Sequence, residues 1–151
     1  MDTSSYLEKL NLNPDGKDIS DCSTRSLCYC LKMDYSELRK IQEDISVSAS
    51  GSKRNWNSFP IFEAYLLIRG WDKITFMKKI PRYRLADLLK WPSVRILTES
   101  SNHVCPIHNG KVVDSWDSTR GRVSSIVFPE NFKAQISRRL KSEGILFVVS
   151  G

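Results

Sequence analysis

The pattern of apolar and polar positions changes character near Trp71: helical periodicity dominates before it, and short apolar runs and alternations dominate after it. Ser26-Leu27-Cys28-Tyr29-Cys30-Leu31 follows the capping types Ser20 and Asp21, which predicts a first helix from near Cys22 to about Met33. In a second helix Leu38, Ile41 and Ile45 share one face; Asp34 opens it, and Glu37 completes a capping box. The small-residue run 46–52 and the following Lys53-Arg54 predict a polar loop, the segment expected to be most mobile. A third helix, capped by Asn57 or Ser58 with Pro60 in its first turn, runs to near Gly70. It is apolar nearly all round, so it is expected to be buried.

The lead-in over residues 1–20 is polar, punctuated by Asn13-Pro14-Asp15-Gly16, with Tyr6, Leu7 and Leu10 available for a short packed helix. After Trp71, Ile74-Thr75-Phe76 predicts a short strand, residues 85–89 a helical turn or two, and residues 93–97 a strand. Residues 123–128 form a further strand after the Arg120-Gly121 turn, Pro129 opens a helix from Glu130 to about Lys141, and residues 145–149 read as a buried strand. Helices precede a largely antiparallel sheet, an α+β layout in one domain over residues 1–151, of which 129–151 supply the last helix and strand.

Asn109-Gly110 is the sharpest local signal, because a two-residue hairpin turn of the mirror-image type needs positive φ at both positions. Counting outward pairs His108 with Lys111, Ile107 with Val112, Cys105 with Asp114 and His103 with Trp116. Alternation then places His103, Cys105, Ile107, Val112, Asp114 and Trp116 on one face. A histidine with a carboxylate beside it is the rear half of a nucleophilic triad, though such pairs also arise in structural networks. Cys22, in the first turn of a helix, has the environment that favours a thiolate and supplies N–H groups to an oxyanion. Cys28 and Cys30 lie deeper in that helix and read as core.

Composition narrows the classes. No apolar run reaches the roughly 18 residues of a membrane span, and Met1-Asp2-Thr3-Ser4-Ser5 begins no secretory signal, so a cytoplasmic protein with reduced cysteines and no membrane partner is expected. The cysteine and histidine spacings match no zinc pattern, and His108 faces away from His103 and Cys105; neither a metal nor a cofactor is expected. Lys plus Arg number 23 against 17 Asp plus Glu, a net charge of +6 with pI near 9.2. The basic residues are scattered, and Trp56, Trp71, Tyr83 and Trp91 read as core before they read as stacking platforms, so nucleic acid is the least favoured partner.

A cysteine at a helix start, a later histidine on a strand and a carboxylate on the partner strand resemble the papain-like cysteine peptidase superfamily. More closely, Asp21-Cys22-Ser23-Thr24-Arg25-Ser26-Leu27, Tyr65-Leu66-Leu67-Ile68-Arg69-Gly70-Trp71 and His103…Asn109-Gly110…Asp114-Ser115-Trp116-Asp117 look like a group of small proteins of bacteria and their phages. That group carries Asp-Cys-x-x-Arg-Ala and His-x-x-Ala-x-x-(Asp/Asn)-Gly-x-x-x-Asp-(Ser/Thr)-Trp-Asp, and the likeness spans about residues 20–123. The resemblance implies a papain-like α+β fold, with Cys22 as nucleophile, His103 as base and Asp114 as its orienter. It implies that Trp116 shields the His103 bond, as in the Asn-Ser-Trp of papain-like enzymes; Asp117 is the alternative orienter if a bulge shifts the register. Pro106 departs from the usual alanine, and residues 17–20 hold no glutamine where papain-like enzymes keep an oxyanion donor.

Three functions follow as expectations. The first is a thiol hydrolase cleaving an amide, isopeptide or related acyl bond in a protein or peptide substrate, possessing chemistry that also serves acyl transfer. The second is a catalytically inactive papain-like fold that binds or inhibits a host or bacterial protein. The third is a basic nucleic-acid binder.

Overall fold

The computed structural model describes residues 7–16, 20–81, 95–100 and 103–150. Strand β1 (Leu7–Lys9) leads into helices α1 (Cys22–Leu31), α2 (Tyr35–Ser50) and α3 (Phe59–Ile68). Strands β2 (Trp71–Pro81), β3 (Arg95–Ser100), β4 (His103–His108), β5 (Lys111–Asp114) and β6 (Arg122–Pro129) follow, then helix α4 (Lys133–Ser142) and strand β7 (Phe147–Ser150). All seven strands form one sheet in the order β1-β5-β4-β3-β6-β2-β7. Only the β1–β5 pair is parallel among those described.

Strand alternation separates two cores. Cys105, Ile107, Val112, Ile126 and Phe128 pack with Ile136 and Leu140 of α4, whereas Val104 and Val127 pack with Leu27, Leu38, Phe62 and Leu66 of α1–α3. The sheet therefore has helices on both faces, and α1 docks against β4. The α+β class holds, with one strand placed ahead of the helices.

Several local expectations are corrected. Leu7 and Leu10 do not sit on a helix: Leu7 pairs with Val112 in β1, where extended backbone covers the open edge of β5. Residues 46–50 are helical rather than a loop, because Ser46 is fully buried with its hydroxyl donating to the Ser52 carbonyl (2.6 Å), and α2 stops only at Gly51, φ 77°. Asp34 does cap α2, accepting from the Glu37 N–H at 3.2 Å. Helix α3 is not buried all round: Leu67 and Ile68 are exposed at 72% and 74% because only one side of the helix meets α1, α2 and the sheet. The strand foreseen at residues 74–76 extends from Trp71 to Pro81, paired on both sides by β6 and β7. The terminal strand is an edge, with Val148 and Val149, and Leu146 just ahead of it, exposed rather than buried. Pro129 ends β6, and a short 3-10 turn (Glu130–Phe132) precedes α4. The helical turn expected at residues 85–89 lies outside the described residues.

Candidate active site

The Asn109-Gly110 turn has φ of 54° and 74°, as the mirror-image hairpin requires, and the pairs His108–Lys111 and Ile107–Val112 form as counted. The ladder then stops. Cys105–Asp114 and His103–Trp116 are not ladder pairs, and the cause is Pro106: alternation turns its nitrogen toward β5, where it has no hydrogen to donate. Two residues further, the Val104 backbone groups on that side serve α1 instead. The carbonyl accepts from Ser26 Oγ at 3.4 Å, and the amide side of Val104 favours the charged form of the Cys22 thiol. A proline inside an internal strand thus opens the gap through which α1 reaches the sheet.

The structure brings Cys22, His103 and Asp114 together. His103 Nε2 lies 2.6 Å from Asp114 Oδ2, and the His103 side chain interacts electrostatically with the Cys22 thiol. Because an ionised carboxylate only accepts, Nε2 carries the proton, which leaves Nδ1 to meet the thiol. Asp114 is itself held: Ser118 Oγ donates to the same oxygen at 2.6 Å and the Ser115 N–H to the other at 2.8 Å. Trp116 lies over the imidazole, ring centroids 5.2 Å apart, yet is 48% exposed, so it covers one side of the pair only. Asp117 stands apart and accepts from the Thr119 N–H and hydroxyl instead.

The electrostatics follow from these contacts. Burial alone would push the Cys22 thiol up, but the His103 and Val104 bonds and the charges of His103 and Arg25 outweigh it and hold the thiol below its ordinary value. Burial would likewise lower His103; bonding to Asp114 and to Cys22 reverses this and raises it. Asp114 is held down, against its burial, chiefly by the His103 bond and charge and by Ser118. Together these directions favour a thiolate–imidazolium pair. Cys28 behaves oppositely: burial and the nearby Asp34 and Asp21 carboxylates push it up to about 11.

Sequence reasoning missed the buried network behind the triad. Asp21, at the N-cap position of α1, makes no capping bond. Its Oδ1 accepts from Arg25 Nε at 2.8 Å, and its Oδ2 from Asn13 Nδ2 at 2.8 Å and Tyr35 Oη at 2.6 Å. Arg25 Nη1 continues to Ser115 Oγ at 2.9 Å and approaches Asp114 Oδ1 at 3.6 Å. The i, i+4 spacing of Asp21 and Arg25 was the available signal. A cavity of about 20 Å³, room for one water, lies between this network and the thiol, lined by Leu10, Leu12, Cys22, Arg25 and Asp114 among others. The larger groove of about 410 Å³, by Pro60, Leu67 and Trp71, contains none of the triad residues.

His103, Cys105 and Asp114 carry donor atoms within 4.8 Å of one another, a spacing that invites a metal. Their arrangement suits a proton better. An ion bound to both His103 Nε2 and Asp114 Oδ2 at roughly 2.0–2.2 Å would have to part atoms now 2.6 Å apart.

Residues 17–19, part of the segment that lacks the papain-like glutamine, lie outside the described residues. No protein-family model, curated protein or solved structure matches this chain. No helix among the described residues is long and apolar enough to cross a membrane.

Proposed function

We propose that the protein is a thiol hydrolase of papain-like type, acting on an amide, isopeptide or related acyl bond of a protein or peptide. The observation that carries this reading is the convergence of three side chains: His103 is bonded to Asp114 at 2.6 Å, and the Cys22 thiol lies close enough to His103 for each to favour the charged form of the other. In the proposed cycle the Cys22 thiolate attacks the acyl carbonyl, and the first-turn N–H groups of α1 face the oxyanion. The His103 imidazolium then gives its proton to the departing amine, leaving a thioester on Cys22. Water attacks the thioester, His103 takes its proton, and the acid product leaves with the thiol restored. Asp114 keeps the imidazole in the required tautomer throughout and stays ionised. An amine in place of water would make the same cycle an acyl transfer. A reducing cytoplasm would keep Cys22 competent, and the cycle uses no cofactor.

The test is alkylation of each cysteine by iodoacetamide as a function of pH, read by mass spectrometry, for the native protein and His103→Ala. Cys22 should react well below about pH 7 and lose that advantage without His103. A Cys22 profile near the free-thiol value of about 8.5 that ignores the substitution would reject the hydrolase and leave a non-catalytic binding protein on this fold.

A further inference from the structure

Asp21 is the residue type best suited to cap α1, yet its carboxylate turns away from the helix. Arg25, one turn on, takes Oδ1, while Asn13 and Tyr35 take Oδ2. Both partners of the ion pair are buried, Asp21 completely and Arg25 to 8% exposure. A buried pair of this kind is poor evidence for stability, since apolar residues of similar volume often serve as well. Its geometry offers another reason. A capping carboxylate would occupy the N–H groups of the first turn and set a negative charge beside the Cys22 thiol, opposing a thiolate on both counts. The same guanidinium reaches across to Ser115 Oγ and toward Asp114 Oδ1, so one planar group touches the nucleophile helix and the end of the strand that orients His103.

We propose that Arg25 is a positioning residue: it draws the Asp21 carboxylate off the start of α1 and ties that helix to the Asp114 end of β5. The proposal rests on the Cys22–His103–Asp114 reading above. It assigns Arg25 no contact with substrate; beside the direct effect of its charge on Cys22, it acts through Asp21, Ser115 and Asp114.

The experiment is the pH profile of Cys22 alkylation by iodoacetamide for the native protein, Arg25→Gln, Arg25→Lys, the double variant Asp21→Ala/Arg25→Gln and His103→Ala, with a thermal melt of each. At pH 6, Arg25→Gln should alkylate about tenfold more slowly than the native protein, as a thiol one pH unit less acidic would, and Arg25→Lys should stay within about threefold because a cation still faces Asp21. The double variant should regain most of the lost rate, since no carboxylate is left to cap the helix. An Arg25→Gln profile that superimposes on the native one overturns the proposal and leaves the triad intact. A native profile that ignores His103→Ala overturns both. A double variant as slow as Arg25→Gln, with a comparable melt, marks structural damage or the loss of the Arg25 charge alone, and either overturns the positioning role. If Arg25→Gln does not fold, Arg25→Lys and the double variant decide: native-like rates in both support the proposal, and a free-thiol profile in either rejects it.

Discussion

His103 and Asp114, eleven residues apart in sequence, meet through a 2.6 Å hydrogen bond although they are not partners in the β4–β5 ladder. The tight turn brings their strands together, and the break at Pro106 lets them approach through side chains where a regular ladder would have held them through backbone. Asp117, only three residues further along, bonds to Thr119 and has no part in this contact.

That distinction is measurable in the imidazole itself. The chain has two histidines, His103 and His108, so ring resonances titrated by NMR separate cleanly. Asp114→Asn should lower the His103 midpoint relative to the native protein, because the carboxylate that raises it is gone. Asp117→Asn should leave it unchanged, with His108 as internal control. A midpoint that moves with Asp117 and ignores Asp114 would contradict the assignment.

Asp114 should also shape acid stability. Its folded-state value is depressed, so its contribution is present above the unfolded value of about 3.9 and is lost as pH falls through the lower folded value. At pH 6 the native protein should exceed Asp114→Asn by about 1.5–3 kcal/mol, the worth of hydrogen bonds to a charged group. Urea melts repeated at lower pH should show that gap closing below about pH 4. A gap independent of pH would mean that the carboxylate is not ionised in the folded state.

Ser118 is fixed by its bond to Asp114 and has no role in the proposed chemistry beyond it. Ser118→Ala should cost about 1.5–3 kcal/mol in denaturant unfolding and shift the onset of acid destabilisation upward, since one of the bonds holding Asp114 ionised is removed. Unchanged acid behaviour would argue against that bond.

Cys28 provides the contrast to Cys22. Its thiol is pushed up to about 11 by burial and by Asp34 and Asp21, so in the folded protein at pH 8 it should stay unmodified while Cys22 is alkylated. Modification of Cys28 should begin only with denaturant. Equal labelling of the two under native conditions would refute the difference in their surroundings.

Gly110 sits at φ 74° in the hairpin that carries His103 and Asp114. Gly110→Ala places a Cβ in the left-handed region and should cost about 1–2 kcal/mol of stability, seen as a lower urea midpoint. A neutral result would mean that the turn changes type.

Much of this protein was legible in the chain because the signals were local. The Asn109-Gly110 turn fixed the hairpin register, since its backbone conformation admits few other residues. Asp34 and Glu37 marked the start of α2, and the step from Asp21 to Cys22 marked the start of α1. These readings depend on φ, on capping and on side-chain period, which a few neighbouring residues decide.

Tertiary structure decided the rest. Residues 46–50 became helix because the buried Ser46 hydroxyl found an acceptor in the Ser52 carbonyl, and Leu7 became strand because β5 had an open edge. Asp21 carried the right chemistry for a cap and was taken instead by Arg25, Asn13 and Tyr35. Pro106, a departure from the resemblance in sequence, became the break through which α1 meets β4. The sequence by itself determined which residues could be nucleophile, base and orienter. Only the fold could bring Cys22 to His103, because the energies of burial, edge pairing and long-range ion pairs belong to partners distant along the chain, and no local pattern encodes them.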